Sequence, residues 1–421
     1  MKYILLLLSL MEEETVLDLF KIPKLYFYRM VLLLAQRFYN RIFKLSAVGL
    51  ENVPKNSAYL MIGNHSHKLD PFFIGALIRR PLFQMASNEY FRIPLMRRFM
   101  WAMGAFPFEK YKKSDSKAIR HAIRLVKAGY ALGIYPEGGR NWDGKTLPVI
   151  RATAGMIRLL NVPVVPVVSE GNYIAWPRWA NKRRKSPIVV HYGKAVTFDR
   201  KATEDEIVAW MQEVLDHNDN YTKVEQIKGK NPAEGLTRLL WRCPSCRTIE
   251  GLVEKNGDEL RCSACGKEWE VDLSCSMREK GASSWKPIKE VADLMVREEE
   301  IVPITPYTDT FLERDEQVYL QSGDIELFYE PKYPKLKKLA DGRLFLTNRG
   351  LVFVRRDDGS SIRYPFDTIQ GRSTEKNHIF QIGTKPDKEG DNKHNNIARF
   401  EMPNESCLKW EIFFDLVKKL Q

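Results

Sequence analysis

Along residues 24–44, KLYFYRMVLLLAQRFYNRIFK, the polar positions Arg29, Gln36, Arg37, Asn40, Arg41 and Lys44 recur at helical spacing and form one stripe. Leu32, Leu34, Ala35, Phe38, Ile42 and Leu45 mostly face away from it. A cationic stripe over an apolar, aromatic face suits a helix lying in a lipid interface, and the same face also suits packing on the protein's own core. A helix lying in the interface is the expectation. Arg29 within the stripe argues against a membrane span.

From Gly49 onward strands and helices alternate. Ala58–Ile62, Ala131–Tyr135, Val164–Val168 and Ile188–Tyr192 read as short apolar strands, and Pro71 stands where a helix begins. Residues 115–128 predict an amphipathic helix capped by Asp115 and ended by Gly129. Thr203-x-x-Glu206 is a capping box that opens a helix to about Asp216. Strands alternating with helices predict a layered α/β domain.

Residues 219–240 are polar and read as a linker, followed by paired cysteines. A helix is expected through Trp285, Ile288, Val291, Ala292 and Met295 up to the acidic run Glu298–Glu300. Residues 310–402 show strand-like runs with turns at Ala340-Asp341-Gly342 and Asp358-Gly359. A closing helix, Cys407–Leu420, puts Trp410, Phe413, Val417 and Leu420 on one face. The boundaries drawn are 1–47 for N-terminal amphipathic membrane-associating helices, 48–225 for the α/β domain, 240–275 for a small cysteine-paired unit and 300–421 for a β-rich domain.

A length of 421 residues agrees with several units, and 44% hydrophobic with 11% aromatic content excludes wholesale disorder and fibrous classes. The early apolar run Ile4–Met11 is far short of the roughly 20 residues that span a bilayer, so a polytopic membrane protein is excluded. Lys2 and this run resemble a signal peptide, but Glu12, Glu13 and Glu14 follow without a small-residue cleavage site, so secretion is not expected. The net charge of +13 is concentrated at the front: residues 1–230 hold 36 Lys and Arg against 20 Asp and Glu, whereas residues 301–421 hold 19 of each. A basic field of this kind suits an anionic membrane face, a phosphate-bearing substrate or an acidic carrier protein.

The informative chemistry is Gly63-Asn64-His65-Ser66-His67-Lys68-Leu69-Asp70-Pro71, where the first strand ends and a helix begins. A turn there brings the Asp70 carboxylate to one imidazole nitrogen of His65, fixing the tautomer and leaving the other as a base. Taken alone, the fragment equally permits Asp70 as a helix cap and His65 as a solvated loop residue. His67 reads as a loop residue at the edge, and His121 and His191 as structural. Residues 173–185, YIAWPRWANKRRK, read either as a membrane-docking loop or as an exposed basic turn.

Three further blocks follow in order: Gly104–Lys110, Tyr135-Pro136-Glu137-Gly138-Gly139-Arg140, and Val162-Pro163-Val164-Val165-Pro166-Val167. With NHxxxxD they resemble the glycerolipid acyltransferase family, including the 1-acyl-glycerol-3-phosphate acyltransferases, over about residues 48–200. The resemblance implies His65 as general base and Asp70 as its orienting partner. It further implies Lys110, Glu137, Gly138, Arg140 and Pro166 as acceptor-binding positions. Two departures are a lysine at 110, where the family usually has arginine, and Pro107 within a stretch that is usually an aliphatic strand.

Cys243, Cys246, Cys262 and Cys265 follow C-x2-C-x15-C-x2-C, a spacing that supplies four thiolates for a closed, structural zinc site resembling a zinc ribbon. Cys275 and Cys407 read as ordinary buried thiols. Arg343–Phe353 is similar to the strand–turn–strand of GRAM and pleckstrin-homology-like domains. The fold class expected is therefore α/β, a layered mixed sheet behind interfacial helices, then a zinc ribbon and a β-rich PH-like domain.

The function implied is transfer of a fatty acyl group from acyl-CoA or acyl-carrier protein to a lysophospholipid, most readily lysophosphatidate. No catalytic metal and no nucleic-acid partner are expected, and the placement is peripheral, on the cytoplasmic face of an anionic membrane. The alternatives are another acceptor, such as glycerol-3-phosphate or a different lysophospholipid, or a catalytically inactive membrane-tethered scaffold.

Overall fold

The computed structural model describes residues 25–78, 80–109, 115–304, 309–332, 334–385 and 397–421. Helix α1 (Leu25–Phe43) leads into β1 (Ser46–Val48), β2 (Leu60–Gly63), α2 (Asp70–Leu77), β3 (Leu82–Ser87), α3 (Pro94–Ala102), β4 (Ala105–Phe108), α4 (Ser116–Lys127) and β5 (Ala131–Ile134). Then come α5 (Arg151–Leu160), β6 (Val164–Glu170), the single turn α6 (Asn172–Ala175), β7 (Val189–Tyr192) and α7 (Glu204–Leu215). The expected starts hold: Pro71 occupies the first turn of α2, Asp115 accepts from the amides of Lys117 and Ala118, and Thr203 and Glu206 close a reciprocal capping box.

The strands form one seven-stranded sheet in the order β1-β7-β6-β2-β5-β3-β4, parallel except where β6 meets β7. Both faces are covered. Tyr59, Met61, Val165 and Val167 pack toward α1 and α2, and Leu60, Ile62, Leu132 and Ile134 toward α4, α5 and α7. Because β2 to β6 run parallel, their carboxyl ends share one rim, where loops of an open α/β sheet gather ligands. Pro107 lies on the edge strand β4 and Pro166 just outside the first β6–β7 pair, Val167 with Tyr192, so neither missing amide breaks an interior ladder.

Helix α1 divides the apolar residues that the sequence placed together. Tyr28, Val31, Leu32, Tyr39 and Phe43 are buried against the domain, and Tyr28 Oη accepts from Leu82 N. Leu33 (62% exposed), Leu34 (47%) and Phe38 (50%) face outward beside Arg29, Arg37 and Arg41. One helix thus serves the core on one side and presents a cationic, apolar strip on the other. Among the described residues no helix is long and apolar enough to cross a membrane.

The expected linker is corrected. Asp219 accepts from the amides of Gly171 and Tyr173, and Ala233, Leu236, Leu239 and Leu240 are buried, so the segment is a packed strap. Residues 173–185 are corrected too. Tyr173, Trp179, Arg178 and Arg184 are buried, while Asn181, Lys182, Arg183 and Lys185 at the tip are exposed, so Trp179 is not presented to lipid. Trp179 Nε1 donates to Tyr173 Oη at 3.0 Å, which satisfies the indole inside the fold.

A five-stranded antiparallel sheet follows: β8 (Leu252–Lys255), β9 (Glu259–Cys262), β10 (Glu268–Val271), β11 (Ser276–Glu279) and β12 (Lys286–Pro287). The helix expected there is only α8 (Ile288–Ala292), and Trp285 lies before it, 40% exposed. The last unit is an eight-stranded antiparallel sheet: β13 (Val318–Gln321), β14 (Ile325–Lys332), β15 (Lys335–Thr347), β16 (Gly350–Arg355), β17 (Ser361–Pro365), β18 (Ile369–Glu375), β19 (Ile379–Thr384) and β20 (Ile397–Glu401).

Helix α9 (Cys407–Lys419) closes this sheet with Trp410, Phe413 and Val417 buried, while Leu420 falls past its end and is exposed. The turn expected at Ala340-Asp341-Gly342 is instead the middle of β15. A side chain at 342 would meet the Val354 carbonyl at 2.1 Å, so Gly342 serves strand approach and not reversal.

Candidate functional site

His65 and Asp70 meet at the rim. His65 Nδ1 lies 2.9 Å from Asp70 Oδ2, which also accepts from the amides of Ser66 (3.0 Å) and His67 (2.9 Å). Asp70 Oδ1 accepts from Asn172 Nδ2 at 3.0 Å. A carboxylate so engaged can only accept from Nδ1, so that nitrogen carries the proton and Nε2 the lone pair. Asp70 is fully buried, whereas the His65 side chain is 19% exposed, with its ring stacked 4.4 Å from that of Tyr135. A positioned imidazole base at a solvent-accessible rim is the chemical content of this arrangement.

Glu137 lies beneath the loop. Its Oε1 accepts from His65 N at 2.6 Å and its Oε2 from Leu147 N at 2.7 Å. Burial pushes Glu137 up to about 8 against the pull of these two amides. Both oxygens engage backbone, so Glu137 sets the position of His65. Gly138 adopts φ 68° in the following turn, where a side chain would strike Ile150 Cδ1 at 2.3 Å. Asn141 N donates to His65 O at 2.9 Å, which holds the segment carrying Arg140 beside the histidine loop. Pro166 is a buried strand residue paired with Ile62 and contributes through the sheet. Lys110 lies outside the described residues.

Arg140 has company that the sequence did not single out. Lys68 Nζ sits 3.5 Å from the centre of the Trp176 ring. Desolvation there, then the fields of Arg140 and Arg183, pull its ammonium below the usual lysine value. Cations crowded in this way favour an anion among them. Lys68 lies inside the quoted motif, so its position was available as a signal. Asn172 and Arg178 had none, because they reach the site only through the fold.

His67 is corrected from loop edge to core. It is fully buried among the rings of Phe43, Phe73 and Trp176, and its Nδ1 accepts from Leu69 N at 2.9 Å. Burial pushes it down to about 3, so it stays neutral. His121 packs against Phe106, ring centres 4.7 Å apart, and His191 Nε2 lies 3.1 Å from Glu170 Oε2.

The sulfurs of Cys243, Cys246, Cys262 and Cys265 all lie within 4.8 Å of one another and could hold a metal ion. Cys243 and Cys265 are 3.9 Å apart, and Cys246 and Cys262 3.6 Å. Tetrahedral thiolates at about 2.3 Å from zinc lie about 3.8 Å apart, so the donor set fits that ion. The residue after each pair is left-handed, Arg247 at φ 67° and Gly266 at φ 75°, which turns both knuckles alike. Cys275 is buried and accepts from Arg184 at 2.7 Å; Cys407 is buried too.

Residues 44–170 match the acyltransferase family. A 1-acyl-sn-glycerol-3-phosphate acyltransferase of Borreliella burgdorferi is 30% identical over 125 residues, covering 30% of this chain and 50% of that protein. One from Limnanthes alba is 25% identical over 153 residues, covering 36% and 54%. The chain thus spans about half the length of these relatives. The crystal structure of a 1-acyl-sn-glycerophosphate acyltransferase from Thermotoga maritima aligns over 51% of this chain and 84% of that one, at 23% identity and a TM-score of 0.40.

Proposed function

We propose that this protein is a membrane-surface O-acyltransferase that moves a fatty acyl group from a thioester to the free hydroxyl of a lysophospholipid, with lysophosphatidate as the preferred acceptor. The observation that carries the reading is the His65–Asp70 pair at 2.9 Å, held at the sheet's rim by three further donors to the same carboxylate. His65 Nε2 takes the hydroxyl proton as the oxygen attacks the thioester carbonyl. The tetrahedral intermediate collapses, the C–S bond breaks, and the thiolate leaves with the proton returned by the imidazolium. Asp70 steadies the imidazolium while it exists.

Arg140 and Lys68 grip the acceptor's phosphate, with Lys110 as a third cation by the family's pattern. Glu137, Gly138 and Pro166 act by shaping the loops around it. The donor is acyl-CoA or acyl-carrier protein, and a basic face favours an acidic carrier. The outward strip of α1 rests on the cytoplasmic leaflet of an anionic membrane. The four cysteines hold a structural zinc, whose closed thiolate shell supplies folding energy and no open position for substrate. The eight-stranded sheet with its closing helix is a PH-like unit.

The test is thiol release from acyl-CoA and acyl-carrier protein against a panel of lysolipids. His65→Ala is expected to abolish release while leaving vesicle binding unchanged; normal turnover in that variant ends the reading. Preferential acylation of glycerol-3-phosphate would move the assignment to that acceptor.

A further inference from the structure

The C-terminal sheet meets the rim at the hairpin between β18 and β19. Between β18 and β19, Lys376 takes a left-handed conformation (φ 54°), and its carbonyl accepts from Arg140 Nη2 at 3.3 Å and Arg178 Nε at 3.1 Å. Ser87, the last residue of β3, donates to Glu375 Oε1 at 3.3 Å. The hairpin therefore lies across the carboxyl ends of the strands beside the phosphate-gripping arginine.

Arg178 is the fastening. Its Nη1 donates to the Arg140 carbonyl at 2.8 Å, and its Nη2 donates to both Thr374 O and Oγ1 at 2.8 Å. Its guanidinium also lies 4.3 Å from the Trp142 ring centre. The side chain is 8% exposed, and burial followed by the field of Arg140 pulls it down to about 10. A buried guanidinium whose donors are all directed at backbone and one hydroxyl is a fixture, not a gate. Two further ties hold the same face: Arg92 to Glu330, and Glu89 to Arg399.

Resting on the proposed acyl transfer, we propose that the Thr374–His378 hairpin is a wall of the acceptor site and that Arg178 is a positioning residue fixing Arg140 to it. A phosphate held by Arg140 then points any headgroup substituent at the hairpin. The site takes a compact phosphate monoester and refuses an acceptor whose phosphate carries a choline or ethanolamine group.

The experiment compares the full chain with Arg178→Lys, Thr374→Val and Lys376→Gly in thiol-release assays. The acceptors are lysophosphatidate and lysophosphatidylcholine in the same mixed micelles. Glycine adopts the conformation at 376 without strain, and valine at 374 keeps the shape while losing the hydroxyl that accepts from Arg178 and donates to Glu411 Oε2, so Lys376→Gly is the variant that least disturbs folding. Arg178→Lys is expected to raise the KM for lysophosphatidate about tenfold, with kcat and the KM for acyl-CoA within about twofold of wild type. Lys376→Gly is expected to narrow the preference for lysophosphatidate. Folded variants with unchanged acceptor KM and unchanged preference overturn the wall, even with an active wild type. A wild type that acylates no lysolipid at all overturns the lysophospholipid-acceptor reading, and this inference with it.

Discussion

Asp70 gathers donors from His65, Ser66, His67 and Asn172, so replacing it with asparagine separates charge from shape. The substituted side chain would offer an amide where Nδ1–H now points and turn the imidazole to the wrong tautomer. Asp70→Asn is expected to lower kcat on the order of a thousand- to ten-thousandfold with little change in acceptor KM, read by steady-state thiol release. His67 carries a pH signature. In the unfolded chain it binds a proton below about 6.5, but in the fold only near 3, so stability is lost as pH falls through that interval. Relative to His67→Asn, which keeps an acceptor for Leu69 N, wild type is expected to lose about 1.4 kcal/mol per pH unit there in denaturant titrations. At this scale the His65–Asp70 pair was legible because the two residues are close neighbours along the chain. Arg178 was not, since its partners at 374 and 376 lie almost two hundred positions away and nothing local distinguishes it from a solvated cation.

Among elements, α1 and the cysteine unit invite direct tests. Leu34→Ser with Phe38→Ser removes apolar area from the outward strip without touching Tyr28, Val31 or Phe43 beneath. Partition onto anionic vesicles is expected to fall about tenfold or more in flotation assays, with the helix intact by circular dichroism. The cysteine unit is expected to hold one zinc per chain by elemental analysis. Cys246→Ser with Cys265→Ser should lose the metal and lower the thermal midpoint. Elements with their own caps, such as α4 behind Asp115 and α7 behind Thr203, were legible to within a residue or so. Those shaped by distant backbone were not: Gly342 looks like a turn in sequence because close approach to Val354 and chain reversal both demand glycine.

For the molecule as a whole, one hydrophobic cluster beside those of the seven-stranded sheet passes through Trp142, Tyr173 and Trp179, then Leu240 and Trp241, and on to Phe380, Trp410 and Phe414. Trp241 meets Phe413 at 5.6 Å, joining the strap before the cysteines to the closing helix. The strap, the cysteine unit and the C-terminal sheet of the zinc-loaded chain, which share this cluster, are therefore expected to melt together in one calorimetric transition. Trp410→Ala should shift that whole transition at a cost of about 3–5 kcal/mol, with no separate melting step appearing. Composition announced a linker at 219–240 because the polar residues there outnumber the apolar ones. The few apolar ones, Leu236 and Leu240 among them, decided otherwise by entering this core.

Edge strand β4 bears on how copies of the chain coexist. Gln84 N donates to Gly104 O at 3.2 Å, so alternation along the parallel ladder turns the nitrogen at 107 toward the open margin of the sheet. Proline there deletes one of the outward donors that a foreign strand would need, and the opposite margin, β1, is only three residues long. At high concentration, neighbouring molecules meet at borders that make poor templates, so crowding need not seed aggregation through this sheet.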